Sequence, residues 1–173
     1  MNLKKIKIND LLVNPTDIWL NRWFVLTAGT EKQFNSMAVG WGSFGGMWGK
    51  PFAQIVVRPG RYTYEFLESS DSFTLCSFPD KYKSDVNLLG TKSGRDCDKI
   101  SKTKLTVTKS SVVDSPSFKE ADLIIECKKN YWQDMEPDNF LDSSIINCYP
   151  KNDFHRIYFG EILTVLAEPE FVK

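Results

Sequence analysis

Residues 22–41 read RWFVLTAGTEKQFNSMAVGW and contain two neighbouring segments that have the pattern of β-strands. Arg22–Ala28 is rich in aromatic and β-branched residues, and Asn35–Trp41 alternates loosely between apolar residues and small or polar ones. The connection between them is too short to hold the crossover that a parallel pair needs. The stretch therefore predicts two antiparallel strands that lie side by side.

Similar segments continue along the chain, and two stretches have the pattern of helices. Further strands are predicted at Phe52–Val57, Ser72–Phe78, Leu105–Thr108, Asp122–Cys127 and His155–Leu166. Helices are predicted at Arg61–Glu68, after a Pro-Gly turn, and at Asp80–Leu89, with Asp80 as the N-cap and Gly90 as the end. Many strands with a few short helices indicate an all-β barrel or sandwich with short inserted helices.

Length and composition favour one domain, residues 1–173, and argue against several classes of function. Lys plus Arg and Asp plus Glu are both 22, so zero net charge disfavours nucleic-acid binding and attachment to an anionic membrane surface. No apolar run approaches the roughly 18 residues of a membrane-spanning helix, and residues 11–13 are too short for a signal-peptide core. We expect a cytoplasmic protein. The four cysteines form no C-x-x-C pair and the chain has one histidine, so no metal site is predicted.

Five of the ten glycines lie between Gly40 and Gly49, in the segment GWGSFGGMWG. This clustering predicts a long loop whose backbone either bends freely or approaches another group closely. Its aromatic residues either stack on a planar ligand or pack into the core. Residues 40–45 also match the dinucleotide fingerprint G-x-G-x-x-G, which requires a helix to begin at its third glycine. The following residues, GMWGKP, cannot start a sustained helix, so we interpret the match as chance.

A sharper local pattern is RPGRYT at residues 58–63, where two arginines flank a Pro-Gly turn before a predicted helix. Backbone N–H groups at a helix start, two guanidinium groups and a threonine hydroxyl suit a phosphate group. Two surface arginines beside a capped helix explain the same pattern without a ligand. The polar residues 90–99 form either a solvated loop or part of a ligand rim, and His155 and Glu161 share one face of a regular strand.

Taken in order, these segments resemble the flavin reductase-like family, the FMN-binding split-barrel proteins that include flavoredoxin. The resemblance extends from about Trp23 to Val165. It rests on FVLTAG at 24–29, FNSMAVGW at 34–41, RPGRYT at 58–63, DSFTL at 71–75, SGRDCDK at 93–99, and DFH followed by GEI within 153–162. Lys50-Pro51 departs from the Pro-Pro pair of many relatives, and Tyr131–Phe140 matches no motif of the family.

The resemblance implies a six-stranded antiparallel Greek-key split barrel and a homodimer with FMN at the subunit interface. It implies cofactor contacts by Asn35, Ser36, Met37, Ala38, Trp41, Arg58, Arg61, Tyr62, Thr63, Ser93 and Lys99. We expect the FMN phosphate on Arg58, Arg61 and Thr63, and the rim of a nicotinamide site at His155 and Glu161. No catalytic side chain is expected, because the flavin itself carries the redox chemistry. Tyr131–Phe140 either covers the nicotinamide site or packs against the partner subunit.

Three functions are compatible with these residues. The first is an NAD(P)H-dependent flavin reductase that transfers hydride to FMN, and the second is an FMN-bearing electron-transfer protein reduced by a protein donor. The third is a structural relative that has lost flavin or binds another planar ligand, such as haem. The arginine-containing turn favours the first two, and we expect an NAD(P)H:FMN oxidoreductase. The sequence does not separate the first from the second.

Overall fold

A computed structural model describes residues 2–173, which contain ten β-strands. The strands are β1 (Lys4–Ile6), β2 (Phe24–Thr30), β3 (Gln33–Val39), β4 (Gly42–Met47), β5 (Lys50–Val57), β6 (Ser72–Ser77), β7 (Val107–Thr108), β8 (Ser117–Phe118), β9 (Leu123–Asp134) and β10 (Arg156–Ala167). Eight of them form one antiparallel sheet in the order β3-β2-β6-β9-β10-β5-β4, with β1 also paired to β10. Strands β7 and β8 form a separate ribbon. The all-β prediction is confirmed, with eight strands in the sheet instead of six.

The long strand β10 holds the sheet together because it pairs along both of its edges. One edge pairs with β9, from Arg156 opposite Asp134 to Ala167 opposite Leu123. The other edge pairs first with β5 and then with β1. Residues of β3 and β5 approach within 8 Å of one another (Cα to Cα), so the sheet curls toward closure.

The helices are α1 (Pro15–Asp17), α2 (Tyr62–Ser69) and α3 (Lys83–Thr91), with short 3-10 or π-helical turns at residues 8–10, 18–22, 80–82, 137–139, 143–148 and 169–171. The prediction of α2 is confirmed. The predicted bounds of α3 are wrong at both ends: Asp80 lies in the preceding 3-10 turn and caps nothing, and the helix continues through Gly90. Close packing explains why residue 90 is a glycine within the helix, because a Cβ there would lie 2.9 Å from the Cβ of Ala38 on β3.

The glycine-rich segment is a strand and a tight turn, so the prediction of a long loop is wrong. Strand β4 pairs with β5 through a two-residue turn at Trp48-Gly49, where φ is 55° and 71°. Two positive φ values are typical of the type I′ turn that matches the twist of a hairpin. Gly42 is needed for close packing, since a Cβ there would lie 2.5 Å from the Trp19 ring. The segment's aromatic residues divide between core and surface: Phe44 packs on Trp19 at 5.1 Å, whereas Trp48 is exposed.

Helices α2 and α3 both pack against β3, and this packing positions the residues of the candidate functional site. The main core lies inside the curled sheet and includes Phe24, Leu26 and Phe73. A second core lies outside β2 and β6, beneath α3, and includes Val25 and Leu89. The loop that leads into α2 and the loop that follows α3 therefore meet at the edge of the sheet that β3 forms.

Two further features bear on function. In the described part of the chain, no helix combines the length and apolar character needed to cross a membrane. All four cysteines are unpaired, with Cys76 and Cys127 buried, Cys97 half-buried and Cys148 exposed.

Candidate functional site

Two cations meet at the C-terminal end of α3. Arg61 is exposed and donates from Nη1 to the carbonyl oxygen of Gly90 at 3.1 Å. Lys99 is buried, and its Nζ donates to the carbonyl oxygens of Leu89 at 2.9 Å and Lys92 at 3.1 Å. The last carbonyl groups of a helix and its negative dipole end favour cations in this position.

Neither cation has a carboxylate partner. Within residues 2–173, no ion pair involves Arg61 or Lys99. Burial, followed by the positive charge of Arg61, lowers the pKa of Lys99 to about 8. An anion held by the two groups would relieve their repulsion, so the pair has the electrostatics of an anion site.

Three segments that are distant in the sequence converge beside Lys99. Asn35 on β3, Tyr62 on α2 and Gly94 in the loop after α3 line one cleft of about 540 Å³ together with Lys99. The Asn35 Nδ2 donates to Thr63 Oγ1 at 2.7 Å, and both residues are buried. The sequence motifs at residues 34–41, 58–63 and 93–99 are thus parts of one site.

Close packing of the loop on this site depends on Gly94. A Cβ at residue 94 would clash with Asn35 Oδ1 and lie 3.1 Å from a ring carbon of Tyr62. The neighbouring Ser93 turns the loop, since its Oγ accepts from the Arg95 N–H at 3.2 Å. The loop is therefore part of the site and not only a solvated connection.

A second cleft, of about 350 Å³, opens between the end of β3 and α3. Its walls include the indoles of Trp23 and Trp41, with Ala38 and Gly90. Gly90 joins this cleft to the cation pair, because its carbonyl oxygen accepts the hydrogen bond from Arg61. A cleft of this size with aromatic walls suits a planar ligand.

Strand β3 offers mainly its backbone to a ligand. Ser36 is buried with its Oγ 2.8 Å from Thr27 Oγ1, and Met37 belongs to the main core. The strand ends the sheet, so the N–H and C=O groups on its outer edge have no strand partner. Of the predicted residues 35–38, Asn35 and Ala38 line the clefts with their side chains.

Arg58 is engaged by the segment that precedes β10. Its guanidinium donates to Asp153 Oδ1 and to the carbonyl oxygen of Cys148, both at 2.7 Å, and lies 5.0 Å from the centre of the Tyr149 ring. The hydrogen bond from Arg58 lowers the pKa of Asp153. Among the predicted cations of the site, Arg58 is thus paired with a carboxylate, whereas Arg61 and Lys99 are not.

The two predicted rim residues lie far apart. His155 is buried, with its ring 5.1 Å from the Trp41 ring. Glu161 accepts a hydrogen bond from Lys50 Nζ at 2.7 Å, and this contact lowers its pKa. Six residues of extended strand separate the two by about 20 Å. The structure therefore brings His155 against Trp41, a wall of the smaller cleft, but does not bring Glu161 there.

The sequence does not predict three further residues: Trp23 and Gly90, which line the smaller cleft, and Tyr149, which contacts Arg58 and His155. Trp23 adopts a positive φ of 62° at the end of the π-helical turn. Gly90 was interpreted as a helix end, and Tyr149 lies outside every motif of the resemblance. Only the aromatic character of Trp23, next to the first strand, offered a signal in the sequence.

The comparison with protein families identifies the chain. The model of the flavin reductase like domain matches residues 21–170, so the protein belongs to this family. A comparison with curated proteins finds no match.

Solved structures of the same split-barrel class resemble the chain. The flavoredoxin of Desulfovibrio vulgaris is 22% identical, with a TM-score of 0.67, over 96% of this chain and 78% of that one. The flavoredoxin of Methanosarcina acetivorans is 22% identical, with a TM-score of 0.66, over 98% and 78%. An FMN-binding domain of a flavin reductase-like enzyme from Shewanella baltica is 18% identical, with a TM-score of 0.68, over 96% and 77%. The predicted split-barrel fold is thereby confirmed.

Proposed function

We propose that the protein binds FMN and is an NAD(P)H:FMN oxidoreductase. The observation that carries this proposal is the cation pair Arg61 and Lys99, free of carboxylate partners, beside a cleft with two indole walls. FMN combines a phosphate dianion with a planar ring system, so it requires a cationic site next to a flat, partly apolar one. Membership of the flavin reductase like domain family supports the same assignment.

The residues of the site fit the two ends of FMN. Arg61, Lys99 and Thr63 would hold the phosphate, with Arg58 adding positive charge from the same turn. Asn35, Ala38 and Trp41 would orient the ring system along the outer edge of β3, whose free backbone groups can bind its polar atoms. When bound, FMN supplies the acceptor for a hydride from NADH or NADPH.

Titration of FMN into the purified chain tests the phosphate assignment. Arg61→Ala should weaken FMN binding about tenfold or more, because a charge-assisted hydrogen bond contributes roughly 1.5–3 kcal/mol. Lys102→Ala is a matched control, since it removes one exposed cation outside the site. Equal FMN affinity in the Arg61 variant and the control would show that the phosphate lies elsewhere.

Anaerobic stopped-flow mixing tests the reaction. Loss of the oxidised flavin absorbance within seconds of adding NADH or NADPH is expected for the oxidoreductase, since the nicotinamide must reach one open flavin face. An oxidised spectrum that persists for minutes with both nucleotides, together with rapid reduction by dithionite, would favour an electron carrier with a protein donor.

We further propose a homodimer with FMN at the subunit interface. Trp48 and Tyr131 are 58% and 44% exposed, their rings lie 6.0 Å apart, and the half-buried Phe159 ring lies 6.1 Å and 5.9 Å from them. An exposed group of aromatic side chains on a sheet face is typical of a protein contact surface. Light scattering at micromolar concentration should give twice the chain mass of 19.9 kDa, and a mass of one chain would contradict the dimer.

A further inference from the structure

A hydrogen bond joins the single histidine of the chain to Tyr149. The Tyr149 hydroxyl lies 2.8 Å from His155 Nδ1 and 3.4 Å from Met135 Sδ. The hydroxyl has one proton, and an imidazole nitrogen is a far stronger acceptor than a thioether sulfur. Tyr149 therefore donates to Nδ1, and the ring proton of a neutral His155 resides on Nε2.

The charges around His155 keep the ring neutral. Burial first, and then the positive charge of Arg58, lowers the pKa of His155 to about 4, with a smaller contribution from Arg61. Asp153 acts in the opposite direction, but its carboxylate is taken up by Arg58 at 2.7 Å. No negative charge is thus left to stabilise an imidazolium at neutral pH.

Tyr149 is itself held firmly in place. Its ring packs on Phe154 at 4.8 Å and on Phe140 at 5.9 Å, and Arg58 lies over it at 5.0 Å. These contacts fix the hydroxyl at the distance it needs from Nδ1. Residues 135–154, which form the connection between β9 and β10 and contain Tyr149, therefore act on the site through His155.

The other ring nitrogen, Nε2, belongs to a ring that packs beside Trp41 and is not engaged by the protein. The His155 ring lies 5.1 Å from Trp41, which forms a wall of the smaller cleft. Across residues 2–173, Nε2 has no hydrogen-bond partner, and it is not among the unpartnered atoms shut off from solvent. An N–H at this atom is available to a ligand stacked near Trp41.

We propose that Tyr149 is a positioning residue that fixes His155 as the Nε2–H tautomer, so that the cleft presents one uncharged hydrogen-bond donor beside Trp41. Such a donor selects a ligand whose planar group carries an uncharged oxygen acceptor, such as a carboxamide. The ligand assignment rests on the proposed function, with the nicotinamide carboxamide as the acceptor. The tautomer itself does not depend on that function.

Long-range ¹H–¹⁵N NMR of the ligand-free chain tests the tautomer, and a single histidine makes the assignment unambiguous. The wild-type chain should show the Nε2–H pattern alone between about pH 6 and 8. Tyr149→Phe keeps the ring packing and should give a mixture of tautomers, whereas Met135→Leu should leave the pattern unchanged. An Nδ1–H pattern in the wild-type chain, or an unchanged pattern in Tyr149→Phe, would overturn the positioning role.

Binding of NAD⁺ and thionicotinamide-NAD⁺ to the full chain with FMN tests the ligand. The wild-type chain should bind NAD⁺, which carries the carboxamide oxygen, roughly three- to tenfold more tightly than thionicotinamide-NAD⁺. This is the range expected for one neutral hydrogen bond. His155→Leu should lose this preference, and His155→Gln, which retains an N–H, should recover part of it. An equal preference in the wild-type and His155→Leu chains would overturn the donor role. Failure of both nucleotides to bind any chain would overturn the ligand assignment and the NAD(P)H-dependent function, while the NMR result stands separately.

Discussion

Replacing Gly94 with alanine tests whether the loop after α3 supports the phosphate end of the site. The new Cβ would clash with Asn35 Oδ1 and lie 3.1 Å from the Tyr62 ring. Asn35 is 6% exposed and bonded to Thr63 at 2.7 Å, so its side chain cannot swing into solvent without breaking that bond. Either the bond breaks, or the loop moves away and displaces Lys99.

The size of the effect follows from the contact that is lost. A buried polar group left without its hydrogen bond costs about 1–3 kcal/mol. For a chain of this length, each kcal/mol lowers Tm by roughly 2–4 °C, so the expected loss is about 2–12 °C. Displacement of Lys99 should also weaken FMN at least about tenfold, because one charge-assisted hydrogen bond to the phosphate is lost.

Thermal unfolding and FMN titration measure the two effects. Gly46→Ala is the control, because this glycine is exposed on β4 and its added Cβ would come no closer than 4.0 Å to another residue. Asn35→Ala removes the clashing oxygen, so adding Gly94→Ala to that chain should cost little more. If Gly94→Ala lowers Tm equally with and without Asn35, the reasoning is refuted.

Two other positions give expectations of a different kind. Gly160→Ala places a Cβ 2.6 Å from ring atoms of Phe73 and 2.9 Å from Cys127 Cβ, and should lower the free energy of unfolding by about 1–3 kcal/mol in urea titrations. Phe73→Leu in the same chain should recover part of that loss. An unchanged free energy of unfolding in Gly160→Ala would contradict the predicted clash with Phe73 and Cys127. FMN affinity should fall as pH rises through about 8, where Lys99 loses its proton, and the fall should be absent in Lys99→Met. The wild-type chain should also gain stability relative to its unfolded state between about pH 8 and 10.5, because only the unfolded lysine keeps its proton there, and urea midpoints at pH 7 and 9.5 check this sign.

Most of the sheet could be predicted because its signals are local. Residues 24–28 carry an aromatic and β-branched run, residues 72–77 alternate apolar residues with small or polar ones, and both strands are buried along nearly their whole length. Strand β4 could not be predicted, since its Gly42 is present to admit the Trp19 ring, a contact between distant parts of the chain. The role of Gly90 could not be predicted for the same reason, because it depends on the contact with Ala38 where α3 packs on β3.

The sequence predicts which segments form the candidate site, but it does not predict how their residues are arranged in space. The turn at 58–63 and the loop at 93–99 stand out by their charges and glycines, and the structure brings both to Asn35. His155 and Glu161 share a strand face because side chains alternate between the two faces of a strand. Their separation along the strand, however, means that only His155 reaches Trp41. The role of Tyr149 depends on a hydrogen bond across an irregular segment, for which the sequence has no periodic signal.

The double pairing of β10 has a consequence for how the protein is made. This strand follows every other strand in the sequence, yet β9, β5 and β1 all depend on it for a hydrogen-bonded edge. During synthesis these edges stay open until residues 156–167 leave the ribosome, and pairing between such distant positions is slow. Open strand edges attract other chains, so the nascent protein passes through a stage at which chaperones can protect it from aggregation.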